Sequence, residues 1–187
     1  MAPSPELLER TSTLKHELFE LAYSRRFRRE VDAFVSNVLG GRTARDENEL
    51  AFAMDTVMLG QPLSSGKTIL EHFLDRHPSL PDGDREILMA WRKIRKGVFR
   101  VDGKHADSIE TYNLVDDLTY RIYSNVGPTF VDGVEIGWFL LARLAPIGDD
   151  WVISGGIIPM AADQIASAYQ TAYTMTQADP NVVFQNP

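Results

Sequence analysis

The stretch "KIRKGVFRVDG", residues 93–103, is where the chain changes character. Upstream of Gly97, apolar residues recur at spacings of three, four and seven, the period of one helix face. Downstream they alternate, with Phe99 facing opposite to Val98 and Arg100, the period of a strand. The first half is therefore expected to be helical and the second half to be built on β-structure.

The helical half carries its own punctuation. Ser4 is placed to cap a helix with Pro5 at its first position, where a missing N–H costs nothing. Leu7, Leu14, Leu18, Leu21 and Ala22 follow, and the pattern resumes at Phe27, Val31, Phe34, Val35, Val38 and Leu39. "GGR" at 40–42 stops it. Asp46 with Glu49 three residues on is a variant capping box for a helix over Leu50–Leu59. "SSGKTILEHFLDRHP" predicts a short helix closed by Pro78. "LPDGDREILMAWRKIRKG" predicts another, with Ile87, Leu88, Trp91 and Ile94 on one side and Gly97 as the stop.

Beyond Gly97, "VFRVDG", "SIETYNLV", "LTYRIYS", "GWFLLARLAPIG" and "DWVISGGIIPM" are β-branched and aromatic, and turn-rich segments separate them. The expected fold class is α+β: an N-terminal helical segment, a small, strongly bent antiparallel β-sheet or barrel of about five strands, and a C-terminal helix in "AADQIASAYQTAYTM". The organisation expected is one unit over 1–187. It has a helical part over 1–96, a β part over 97–160, and a helix with tail over 161–187, where Val182, Val183 and Phe184 are expected to dock.

Composition narrows the function classes. The 187 residues contain no cysteine, which excludes thiol catalysis, thiolate metal sites and disulfides. The start "MAPSPELLERTSTLKHELFE" has neither a basic n-region nor an apolar h-region, and charges recur too often for a membrane span. A soluble, cytoplasmic protein with no membrane partner is expected. Residues 1–96 hold 15 Lys/Arg and 15 Asp/Glu, whereas residues 97–187 hold 4 and 11. The whole excess of −7 thus lies in the second half. Acidic surface repels nucleic-acid phosphate, so a nucleic-acid partner is disfavoured.

"GQPLSSGKT", residues 60–68, resembles a nucleotide-binding loop only in its ending. Five residues separate Gly60 from Gly66 where such a loop has four, and Pro62 removes a donor. The preceding "LAFAMDTVMLG" has helical rather than strand character. A helix-to-helix turn is expected instead, with Ser64 or Ser65 as the N-cap and Thr68 in the first turn. Ser12–Lys15 and Ser64–Lys67 both match Ser-x-x-Lys, but neither has the companion motifs of an acylating enzyme. The first copy is expected on an exposed helix face. His16, His72, His77 and His105 lack the four-residue spacing of a helical metal pair. No cofactor and no metal site is implied.

Three groups of residues remain as candidates. Asp116-Asp117 and Asp149-Asp150 are acidic pairs in expected turns, where Asp bonds the local backbone. Asp116, Asp117, Tyr120, Arg121 and Tyr123 are candidates to line a ligand pocket between the helical part and the sheet. Arg25, Arg26, Arg28 and Arg29 surround Phe27 and make a basic patch suited to nucleic acid, an acidic partner or this protein's own acidic β-half, the last giving homo-oligomers. Phe27, Trp91, Trp138 and Trp151 are expected in the core.

"HFLDRHPSLPDGDREILMAWRKIRKGVFRV", "NLVDDLTYRIYSNVG", "ARLAPIGDDWVISGG" and "ADPNVVFQNP" together resemble a family of uncharacterised bacterial proteins, common in actinobacteria. The resemblance spans roughly residues 68–187. It implies one continuous unit from the helices through the barrel to the C-terminal helix, and it carries no activity and no catalytic residue. The leading expectation is a non-enzymatic interaction or regulatory protein. The alternative is an enzyme or small-ligand-binding protein.

Overall fold

The Ser4-Pro5 signal does start a helix. In a computed structural model that describes residues 2–123 and 129–178, the Ser4 hydroxyl accepts from Leu7 N at 3.2 Å and α1 runs Pro5–Ala22. The docking of Val182, Val183 and Phe184, and part of the turn before "FVDG", lie outside the described residues. No helix among the described residues is long and apolar enough to cross a membrane. The chain divides into two compact units. The first runs to Ile94 and includes Ser154–Gly156, and the second comprises Arg95–Ile153 and the chain from Ile157 onward.

In the first unit, α1 is followed by α2 (Arg28–Val38), α3 (Glu47–Gly60), α4 (Ile69–Arg76) and α5 (Asp82–Ala90), then a 3-10 turn over Trp91–Lys93. Leu14, Leu18 and Leu21 are buried along one stripe of α1, as their spacing requires. They share the core with Phe27, Val31, Met54, Val57, Leu70, Phe73 and Trp91. Each such fully buried side chain contributes roughly 1.5–3 kcal/mol. Asp46 caps α3, accepting from Glu49 N at 2.8 Å. The return half of that capping box is absent, because the Glu49 carboxylate accepts instead from Arg45 N at 2.7 Å and from Arg42. The N-cap of α4 is Thr68, not Ser64 or Ser65. Thr68 and Glu71 form a full capping box, with Thr68 N donating to Glu71 at 2.9 Å. Ser64 is drawn away to Glu30 and Ser65 to His72, so neither is free to cap.

In the second unit, β1 (Arg95–Lys104), β2 (Ser108–Asn113), β3 (Thr119–Tyr123), β4 (Phe139–Ile147) and β5 (Asp150–Ile153) close into a ring in the order β1-β2-β3-β5-β4-β1. A short helix, α6 (Thr129–Asp132), lies between β3 and β4 in sequence. A closed five-stranded barrel of this kind carries no function by itself. The α+β class with a small barrel is as expected. One pairing differs: β3 and β5 are parallel, and that contact completes the ring. A sixth strand, β6 (Ile158–Met160), pairs with the N-terminal half of β4, while β5 pairs with its C-terminal half. "DWVISGGIIPM" is thus two strands rather than one, broken at Ser154–Gly156. Pro146 is tolerated in β4 because β4 pairs with β1 only as far as Leu144.

Alternation sorts the barrel residues. Phe99, Val101, Ile109, Tyr120, Ile122, Leu140, Ala142 and Leu144 fill one core, against which Trp138 and Trp151 are half-buried. Val98, Phe139 and Leu141 face the other way and receive α7 (Ile165–Ala178) through Ala168 and Ala172. Gly97 proves to be a strand residue rather than a helix stop: it pairs with Ala142 inside β1. A Cβ at Gly97 would overlap the side-chain amide of Asn113, which is wholly buried.

Gly97→Ala is expected to destabilise the barrel by about 1–3 kcal/mol through overpacking. Combining it with Asn113→Ala removes the clashing atoms. Denaturant unfolding of the double variant should therefore show less than the sum of the two single effects. Strict additivity would show that Asn113 does not enforce the glycine.

Candidate interaction surface

The arginine patch is displayed by the burial of one aromatic ring. α1 ends at Ala22, and a tight turn follows in which Ser24 N donates to Leu21 O and Phe27 N donates to Ser24 O. Phe27, 4 % exposed, packs into the helical core. Its ring meets the His72 ring at 4.7 Å, and the guanidinium groups of Arg26 and Arg76 lie over it at 5.1 and 5.2 Å. With Phe27 fixed inward, Arg25, Arg26, Arg28 and Arg29 all stand in solvent.

A concave recess of about 570 Å³ opens beside this turn, lined by Tyr23, Arg25, Arg28, Arg29 and Asp32. Arg28 reaches Asp32 one turn away at 3.7 Å, a loose pair between two exposed side chains. Arg25 and Arg29 make no ion pair among the described residues. Tyr23 forms the half-buried floor, its hydroxyl 3.4 Å from the Met54 sulfur. Burial, and then the nearby Asp32 carboxylate, push its phenol above the ordinary range. The recess can therefore offer two forked cationic donors and a neutral aromatic surface, which suits a carboxylate-bearing chain.

Asp32 also lines a second hollow of about 460 Å³ between α2 and α3. Val35, Leu39 and Leu50 supply its apolar wall, and Asp46 and Glu47 stand on its rim. Nearby, Arg42 grips Glu49 with both oxygens engaged, and this holds the Glu49 carboxyl down to about 2. The Arg45 backbone N–H adds to the effect.

Asp116, Asp117, Tyr120, Arg121 and Tyr123 are not brought to one point. The Tyr120 hydroxyl donates to Asp116 at 2.6 Å inside the second unit. Burial first, then that bond, push the Tyr120 phenol well up. Asp116 also accepts from Leu118 N at 3.2 Å, a local turn bond. Asp117 adopts the left-handed conformation, φ 59°, and accepts from the Tyr112 hydroxyl at 2.8 Å on the exposed side. Arg121 is exposed opposite Glu110, while Tyr123 is buried. No group of three or more His, Asp or Glu among the described residues is arranged to hold a metal ion.

Sequence reasoning missed one cluster. Ser12 of the first Ser-x-x-Lys copy is exposed, but Lys15 is turned inward rather than lying on an exposed face. Its ammonium meets Asp55, which is 0 % exposed, and donates to Ser154 Oγ at 2.7 Å. Ser154 Oγ in turn donates to Asp55 at 2.8 Å. The ammonium lies 5.3 Å over the Trp91 ring. A lysine ion-paired to a buried carboxylate is not a free base for the serine, so the triad acts as a buried polar lock. The pair Gly155-Gly156 was the available signal. A Cβ on Gly155 would come within 2.6 Å of the Asp55 side chain, and one on Gly156 would overlap the Asn48 carbonyl. Backbone approach that close requires glycine.

Ser65 and His72 form another pair, 2.7 Å apart. Burial, then Arg26 and Lys67, hold the His72 imidazole below its ordinary range, so it is neutral at pH 7.

No family model, no curated protein and no solved structure matches this chain.

The depressed Glu49 carboxyl fixes a pH dependence. Its contribution to folding is complete above its ordinary value of 4.5 and is lost as pH falls towards about 2. Denaturation midpoints measured from pH 5 to pH 2 should fall, and Glu49→Gln should flatten that fall. An unchanged slope in Glu49→Gln would show that Arg42 does not hold the carboxylate in the folded state.

Proposed function

We propose that this protein is a non-enzymatic interaction protein whose contact surface is the arginine recess on its helical unit. The observation that carries this reading is that Arg25 and Arg29 line a concave surface over Tyr23 and have no ion-pair partner among the described residues. Arginine in a recess beside an aromatic ring is the composition expected of an anchor point at a protein interface. The partner class that fits is an acidic, extended or helical protein segment, whose carboxylates the guanidinium forks engage pairwise.

A nucleic-acid partner has less support. The outer strand positions that would stack bases offer Tyr112, but it is bonded to Asp117 and covered by Arg100, which is itself paired with Asp102. Those carboxylates repel phosphate. The small-ligand alternative has less support because its candidate side chains lie on different faces, with Tyr120 and Asp116 bonded to each other. A cytoplasmic location is part of the same reading. Membership of the actinobacterial family suggested by the barrel segments is part of the same reading.

Binding of a fluorescent Asp/Glu-rich peptide tests the proposal. Wild-type protein should bind it at low salt and more weakly as salt rises, because exposed charges are screened within about 10 Å at 0.1 M ionic strength. Arg25→Ala with Arg29→Ala should weaken binding roughly tenfold or more, since hydrogen bonds to charged groups are worth about 1.5–3 kcal/mol each. Equal binding by that variant would refute the recess as the contact surface.

A further inference from the structure

The two hollows of the helical unit meet at Asp32, and together they form one surface along α2. Its N-terminal end is basic, with Arg25, Arg28 and Arg29. Its C-terminal half is apolar, with Val35, Leu39 and Leu50, and is rimmed by Asp46 and Glu47, while Arg42 in the same lining is neutralised by its pairing with Glu49. Asp32, Val35 and Leu39 follow one another at spacings of three and four, so they lie on one face of α2 and of the turn that ends it. Leu50 is 41 % exposed, a large apolar side chain left in water beside that face.

A surface with opposite charge at its two ends is complementary to itself when turned end for end. We propose that the occupant of this surface is a second copy of the chain, related by a two-fold axis near Asp32 and Ser36, with the two α2 helices antiparallel. This rests on the reading of the arginine recess as a contact surface and names its partner. In such an isologous arrangement each contact occurs twice. Arg25 and Arg29 of one copy face Glu47 and Asp46 of the other, and the apolar walls meet across the axis. The same symmetry doubles the effect of any single charge reversal, because both ends of the interface turn repulsive together.

Length supports the geometry. Eleven residues of α2 span about 16 Å, which allows one apolar centre with a charged contact at either end. Asp46 also serves as the N-cap of α3, so Glu47, exposed and outside that bond, is the acidic residue to change.

Sedimentation velocity of the full chain at tens of micromolar tests this in 50 mM and 500 mM salt. The expected result is a dimer at low salt that dissociates at high salt. Arg29→Glu alone and Glu47→Arg alone should each give monomers at low salt, and the double variant Arg29→Glu/Glu47→Arg should restore the dimer. Circular dichroism checks that each variant remains folded. A wild-type protein that stays monomeric at low salt, yet still binds the acidic peptide through Arg25 and Arg29, would overturn the dimer and leave the recess standing. A dimer that ignores Arg29→Glu would overturn this placement of the interface. A wild-type protein that neither self-associates nor binds the acidic peptide at low salt would overturn the two proposals together.

Discussion

The seating of Phe27 organises the helical unit. One ring, almost fully buried, packs against His72 and takes two guanidinium groups over its surface. Because it must point inward, the turn between α1 and α2 has one orientation, and the four arginines around it are forced outward. A run of four cations within five residues would otherwise be a mutually repelling, solvated helix face. Here the hydrophobic anchor converts it into a shaped surface, with Tyr23 as floor and Asp32 as the boundary with the apolar wall of α2. His72 belongs to the same arrangement. It is buried and neutral, so it adds no further cation beside Arg26.

The barrel is governed by a different constraint, the closure of a short sheet. Five strands form a ring only if the last gap is filled, and the parallel contact of β3 with β5 fills it. The interior then has to accept Tyr120 and Asn113, both polar. Tyr120 is satisfied by Asp116 and packs edge-on against Phe99 and Trp151. Asn113 obtains its room from the missing side chain of Gly97. A buried polar group such as the Tyr120 hydroxyl specifies the arrangement of so small a core, because it has one place where its bond is met.

Much of this was legible in residue order, and the exceptions have physical causes. The change of period at "KIRKGVFRVDG" marked the passage from helices to barrel because burial of one face imposes period 3.6 on a helix and period 2 on a strand. It misplaced Gly97, since a glycine required by a neighbour's side chain looks the same in sequence as one that ends a helix. Ser4-Pro5 and Asp46 were readable as caps because capping is local. Thr68 was not chosen over Ser64 and Ser65 because the choice depended on Glu30 and His72, which are distant in sequence. The arginine patch was visible as composition, but its recess was not. Lys15 meets Asp55 and Ser154, 40 and 139 residues away, and no spacing rule reaches so far. The proposed ligand residues around Asp116 failed to converge for the converse reason. Residues adjacent on a strand alternate between its faces, so closeness in sequence put Tyr120 and Arg121 on opposite sides.

The most direct test of the central claim is NMR observation of the arginine side-chain Nε–Hε resonances while an acidic peptide is titrated into the protein. Saturable shifts confined to Arg25, Arg28 and Arg29 are expected, with the barrel arginines Arg100 and Arg121 unmoved. Shifts concentrated on the barrel arginines, or none at any residue while the peptide is bound, would contradict it.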